Sequence, residues 1–75
     1  MRIRRGNMFI DIEAQAGPGQ RYMRRYLNIN CIKAVVPFPE DDKLSYVYLT
    51  DEGGRMLAKA SFEQMKELIK EAAKS

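Results

Sequence analysis

Histidine and tryptophan are absent from this chain, and cysteine occurs once, at Cys31. Without histidine, a single chain holds no Ser-His-Asp or Cys-His pair and no imidazole metal ligand. One cysteine makes neither an internal disulfide nor a cysteine-rich zinc site, which is the usage of a reducing compartment, so a cytoplasmic location is expected. Long apolar runs are missing too. Met8-Phe9-Ile10 is ended by Asp11, and no stretch of signal-peptide or membrane-span length follows the opening arginines. A soluble protein with no membrane partner is expected. No motif asks for a cofactor, and no ligand spacing asks for a metal.

What is present is globular in composition. The chain has 75 residues, of which 45% are hydrophobic and 31% charged, so one small α+β domain over 1–75 is expected rather than a disordered segment. A chain this short buries only about 60% of its unfolded surface, and it needs a tight core or a partner subunit. Charge is uneven along it. Residues 1–33 carry a net +5 and residues 34–75 a net −2, and every arginine but Arg55 lies in the first 25 residues. An arginine-rich third points to an anionic partner, because the planar guanidinium suits phosphate and carboxylate.

Alternation organises most of the chain. Met8, Ile10, Ile12, Ala14 and Ala16 fall on one face of a strand, with Phe9, Asp11, Glu13 and Gln15 on the other. Gly6-Asn7 is a turn signal after a basic N-terminal arm over 1–7, and Gly17-Pro18-Gly19-Gln20 reads as a hairpin connection. The next run is too long for one strand. It divides near Asn28-Ile29-Asn30, a bend or bulge, into strands at 21–29 and 32–38, the second ended by Pro37 and Pro39. Leu44 to Thr50 and Arg55 to Ala60 are β-rich and flank the turn Asp51-Glu52-Gly53-Gly54. Ser61 and Gln64 form a capping box that opens a C-terminal helix over 61–74, with Phe62, Met65, Leu68, Ile69 and Ala72 as its apolar stripe. The predicted fold is α+β: an antiparallel β-meander of four to five strands with one C-terminal amphipathic helix packed on one face. One helix covers one face only. Phe9, Tyr22, Tyr26, Phe38, Tyr46 and Tyr48 are the candidates to line the other, and such a face or an open edge calls for a homo-oligomer or a protein partner.

The candidate binding residues lie in Arg21-Tyr22-Met23-Arg24-Arg25-Tyr26. In a strand, Tyr22, Arg24 and Tyr26 share one face, so a phosphate can pair with the arginine while the rings stack on bases. With Arg2, Arg4 and Arg5 of the arm, they would cover a stretch of nucleic acid. The structural alternative is cross-strand pairing of these arginines with Asp11 and Glu13. Glu40-Asp41-Asp42 lacks the ligand spacing of a calcium loop and reads as a solvated turn. Gly17-Pro18-Gly19 matches no phosphate loop. Cys31, among Ile29, Ile32 and Val35, is expected to be a small buried hydrophobe.

From Tyr26 onward the chain has a cadence of its own. Tyr26-Leu27-Asn28-Ile29-Asn30-Cys31-Ile32-Lys33-Ala34-Val35-Val36 leads to Tyr46-Val47-Tyr48-Leu49-Thr50-Asp51-Glu52-Gly53-Gly54 and then to Ala60-Ser61-Phe62-Glu63-Gln64. Over residues 26–73 this resembles the small bacterial FlbD-like proteins associated with flagella and swarming and, more distantly, DNA-binding LytTR domains. The Gly17-Pro18-Gly19 hairpin and the arginine-rich start fall outside the resemblance, and Asp51-Glu52-Gly53-Gly54 is longer than the usual turn of those proteins. The resemblance implies the strand–strand–strand–helix fold and a bacterial or phage setting, and it carries over no catalytic residue. The expectation from the chain as a whole is a non-enzymatic accessory or regulatory module that acts by oligomerisation and sheet-mediated protein binding. The alternative is a nucleic-acid-binding regulator working through the Arg/Tyr strand and the basic arm.

Overall fold

A computed structural model describes residues 8–17, 19–50 and 54–74. The basic arm at 1–7, with Arg2, Arg4 and Arg5, lies outside the described residues, as do Pro18 and positions 51–53 of the second turn. The described chain forms β1 (Phe9–Gln15), β2 (Met23–Asn28), a 3-10 turn (Ile29–Cys31), β3 (Ile32–Pro37), β4 (Ser45–Leu49), β5 (Arg55–Ala58) and α1 (Phe62–Ala73). All strand pairings are antiparallel, in the order β2-β1-β5-β4-β3. The fold is therefore α+β, a five-stranded sheet with one C-terminal helix. Among the described residues, no helix is long and apolar enough to cross a membrane.

The order follows from two local units and one junction. β1 and β2 form a hairpin in the register Phe9–Asn28 through Ala14–Met23. Its connection closes where the Gln20 N–H donates to the Gly17 carbonyl (3.1 Å), with Gly19 at φ 77°, a region open to glycine without strain. β3, β4 and β5 run as a three-stranded meander. The units join where Ala14 and Gln15 of β1 pair with Ala58 and Leu57 of β5. β2 and β3 thus form opposite edges of the sheet, although only the three residues of the 3-10 turn separate them in the chain. Asn28 makes that corner: its side-chain oxygen accepts from the Asn30 N–H (2.8 Å), and a bulge follows between Ile32 and Ala34. The turn also moves Cys31 off the strand alternation, so the cysteine is exposed rather than buried as its neighbours suggest.

The inner face holds the core: Ile10, Ile12 and Ala14 of β1, Val47 of β4, Met56 and Ala58 of β5, then Ala60, Met65 and Ala72. Four of these are alanines, so elements approach closely and little bulk fills the space between them. The single buried polar residue among those described is Ser45, whose hydroxyl donates to the Ala60 carbonyl at 2.8 Å. That bond ties the start of β4 to the segment leading into α1.

α1 begins as the sequence predicts. The Ser61 hydroxyl accepts from the Gln64 N–H (3.1 Å) while the Gln64 side chain accepts from the Ser61 N–H (2.8 Å), completing the capping box. The helix packs against β1, β3 and the 3-10 turn. Near its end, the Met8 N–H donates to the Ala72 carbonyl (3.1 Å), and the Met8 carbonyl accepts from Ile29 (2.8 Å). These two bonds hold Met8 at φ 70°, a conformation unusual for a side-chain-bearing residue. The apolar stripe divides unevenly. Met65 is 0% exposed and Ala72 6%, but Leu68 is 36% exposed and lies at the rim rather than in the core.

Met65→Ala is accordingly expected to cost about 2–5 kcal/mol in urea unfolding, as full truncations in a packed core do. Leu68→Ala, with less area to lose, is expected to cost about 1 kcal/mol or less. Ser45→Ala strands the buried Ala60 carbonyl and is expected to cost roughly 1–3 kcal/mol in the same assay.

Candidate functional site: the outer face of the sheet

The chain has seven phenylalanines and tyrosines, and all but Phe62 are accounted for by the outer face. Register places them there. Tyr26 opposes Asp11 and Tyr46 opposes Leu57, so each points away from its core-facing neighbours Leu27 and Val47. Two clusters result. Phe9 and Tyr26 stack with centroids 4.8 Å apart and planes 15° from parallel. Phe38 meets Tyr46 edge-on at 5.2 Å, and Tyr46 and Tyr48 lie 6.3 Å apart. None of these rings is buried, and Tyr26 is 62% exposed. Large aromatic side chains dominate most small cores. Here the core consists of aliphatic side chains and methionine, and the rings face outward.

Cations are threaded among the rings. The Arg55 guanidinium lies 4.3 Å from the Tyr46 centroid and donates to the Tyr48 hydroxyl at 3.3 Å. That hydrogen bond, with the neighbouring tyrosines, holds its pKa above the ordinary arginine value. Lys59 Nζ lies 5.3 Å from the Tyr22 ring. Neither Arg55 nor Lys59 stands out in the sequence. The signal that reveals Arg55 is hairpin register, which sets it opposite Tyr48.

The predicted Arg/Tyr segment is divided by the strand. Tyr22, Arg24 and Tyr26 are on the outer face, as alternation requires. Arg24 is already engaged: its Nε and Nη2 donate to Asp11 Oδ1 and Oδ2 at 3.2 and 2.6 Å, a bidentate cross-strand pair. Arg25 opposes Ile12 on the inner face, where its Nε donates to the Ala14 carbonyl at 3.2 Å and its stem covers the core's edge. Arg21 is exposed, ahead of β2. The structure therefore brings Tyr22, Arg24 and Tyr26 together and separates Arg25 from them. Cross-strand pairing with Asp11 accounts for Arg24, while Glu13 is reached by Lys59 at 3.9 Å.

Asp11 has its pKa lowered chiefly by the hydrogen bond from Arg24, which outweighs an opposing desolvation, with a smaller contribution from the charge of that guanidinium. A carboxylate whose folded pKa is depressed stabilises the fold above its unfolded value, about 3.9, and that contribution is lost as the pH falls through the folded value. As the pH falls below the unfolded value of about 3.9, Asp11→Asn is therefore expected to lose less stability than the parent chain. Parallel acid-unfolding curves for the two proteins are the measurement, and a steeper loss in the variant counts against the pair's contribution.

Among the described residues, no group of histidine, cysteine, aspartate and glutamate side chains is placed to hold a metal ion. Compared with protein-family models, with curated proteins and with solved structures, the chain matches none.

Proposed function

We propose that this protein is a non-enzymatic accessory or regulatory binding module, of the kind the cadence of residues 26–73 resembles, that self-associates and engages a protein partner through the outer face of its sheet. One observation carries the reading: Phe9, Tyr22, Tyr26, Phe38, Tyr46 and Tyr48 sit outside a sheet whose other face is covered by α1. Aromatic side chains with a polar tip and a cation nearby are the residues that dominate protein interfaces, and clustering them on an exposed face costs solubility unless the face is used. The open edges agree. β2 exposes Met23 at 54%, and β3 exposes Val36 at 41%, where an unpaired strand offers its backbone to a second chain.

Sedimentation equilibrium tests it directly. The chain is expected to run as a dimer or larger species at micromolar concentration, and Tyr26→Asp combined with Tyr46→Asp to shift it to the 8.7 kDa monomer without loss of cooperative unfolding. A parent chain that is monomeric throughout removes the self-association.

A nucleic-acid ligand is the second reading, favoured by the Arg55–Tyr46–Tyr48 arrangement, in which a guanidinium and two tyrosine rings share one face. Phosphate contacts release counterions, so such binding is expected to fall steeply between about 50 and 200 mM salt and to weaken in Arg55→Ala. A protein interface with an apolar centre is much less sensitive to salt.

A further inference from the structure

β1 parts from β5 after a short pairing, and the place where they separate is a cleft. Their register sets Ala14 against Ala58 and Gln15 against Leu57. Continued by two residues, it would set Ala16 opposite Met56 and Gly17 opposite Arg55. The chain instead turns away at Gly17, whose carbonyl accepts from the Gln20 N–H at 3.1 Å. A space of about 320 Å³ remains, bordered by Ala16, Gly17, Phe38, Tyr46, Arg55 and Leu57. That is the small end of the range for ligand sites, room for one residue rather than a stretch of chain.

Backbone parity gives the cleft a hydrogen-bonding edge. In an antiparallel ladder, alternate residues turn both main-chain groups to the same neighbour. The Lys59 N–H donates to the Glu13 carbonyl, and the Leu49 N–H to the Gly54 carbonyl, both at 2.8 Å. Met56 and Ala58 therefore turn to β4, while Arg55 and Leu57 turn to the β1 side. Leu57 meets Gln15 there. The Arg55 N–H and carbonyl face the cleft with no described strand opposite.

The side chain of the same residue adds a charge. The Arg55 guanidinium lies 4.3 Å from the Tyr46 centroid, and its Nη1 donates to the Tyr48 hydroxyl at 3.3 Å. Among the described residues it has no carboxylate partner, unlike Arg24, Lys59, Lys66 and Lys74. Nε and Nη2, the edge with which Arg24 grips Asp11, make no hydrogen bond among them. No described acidic side chain borders the cleft, and its apolar walls Phe38, Tyr46 and Leu57 are only half-buried. They have area left to cover.

We propose that this cleft binds the C-terminal residue of a partner protein. Its α-carboxylate accepts from the Arg55 backbone N–H and guanidinium, and its apolar side chain covers Phe38, Tyr46 and Leu57. A terminal residue carries carboxylate and side chain on one Cα, which a cleft of this size requires. Arg55 is the one cation among the described borders. That suits a single carboxylate better than a nucleic-acid backbone, whose binding gathers several cations. The partner is the one the outer-face reading calls for, and on that reading this site rests.

The test is fluorescence anisotropy of the full chain with an N-terminally labelled peptide, Gly-Ser-Gly-Ser-Phe, as free acid and as C-terminal amide. Saturable binding of the free acid is expected. Binding is expected to be about tenfold or more weaker for the amide and for Arg55→Gln, since each loses a hydrogen bond to a charged group. Arg21→Gln, which removes an exposed cation outside the cleft, is expected to bind as the parent does. Cooperative thermal unfolding shows that the variants fold, and the comparison of acid with amide needs no variant. Equal binding of acid and amide, no binding by the parent chain, or equal weakening in both variants overturns the proposal. Displacement by a thymidine oligonucleotide, or by N-acetylphenylalanine, as readily as by unlabelled peptide also overturns it, because the ligand is then a nucleic acid or a small acid. Sedimentation reads the self-association separately, so a dimer that binds no peptide overturns this site alone.

Discussion

The rest of the structure depends on the short junction between β1 and β5. Only Ala14–Ala58 and Gln15–Leu57 are in register there, yet this contact converts a hairpin and a three-stranded meander into one sheet. Ala14 and Ala58 are both completely buried. A larger residue at either position would push the two units apart, because cores packed this closely do not absorb extra methylenes without moving backbone. The junction also fixes the helix. Since β5 stops at Ala58, the chain turns through Lys59 and Ala60 into Ser61, and α1 is laid along the stretch of β1 that β5 leaves uncovered. Ser45 secures this corner by bonding the Ala60 carbonyl.

An aliphatic core and an aromatic exterior are two sides of one choice. With alanine at four of its nine buried apolar positions, the interior has no room for rings, and strand alternation sends them to the opposite face. The stability forgone by leaving aromatic area in contact with water is recovered only if another surface covers it. That is why the outer face is read as an interface rather than as a decorated exterior. The same reasoning assigns the cations. Arg24 and Lys59 neutralise Asp11 and Glu13 on this face, so it presents rings and satisfied ion pairs instead of an unpaired positive field.

Much of this was legible in the sequence, because much of it is local. The alternation of Ile10, Ile12 and Ala14 gives β1 its buried face, and the Ser61–Gln64 capping box starts α1 where it is found. The outward direction of Phe9, Tyr26, Tyr46 and Tyr48 follows from the same period of two. Cys31 and Leu68 did not follow their patterns, for definite reasons. A 3-10 turn interrupts the strand at Cys31, and Leu68 lies at the rim of the contact that α1 makes with β1, β3 and the 3-10 turn, so part of the stripe stays outside. Arg25 falls on the face opposite Arg24, as the period of two requires, and its partner there is the Ala14 carbonyl.

The amino-acid sequence by itself determined the elements, their faces, the lack of histidine chemistry and the uneven distribution of charge. These depend on residues a few positions apart, whose geometry the backbone period dictates. Only the tertiary structure decided that β1 lies beside β5, that Arg24 is held by Asp11, and that carboxylates from β1 and α1 face each other across a groove. Those neighbours are up to 60 residues apart in the chain, and no local period connects them. They meet because α1, in covering the inner face of the sheet, packs against β1 as well as β3 and the 3-10 turn.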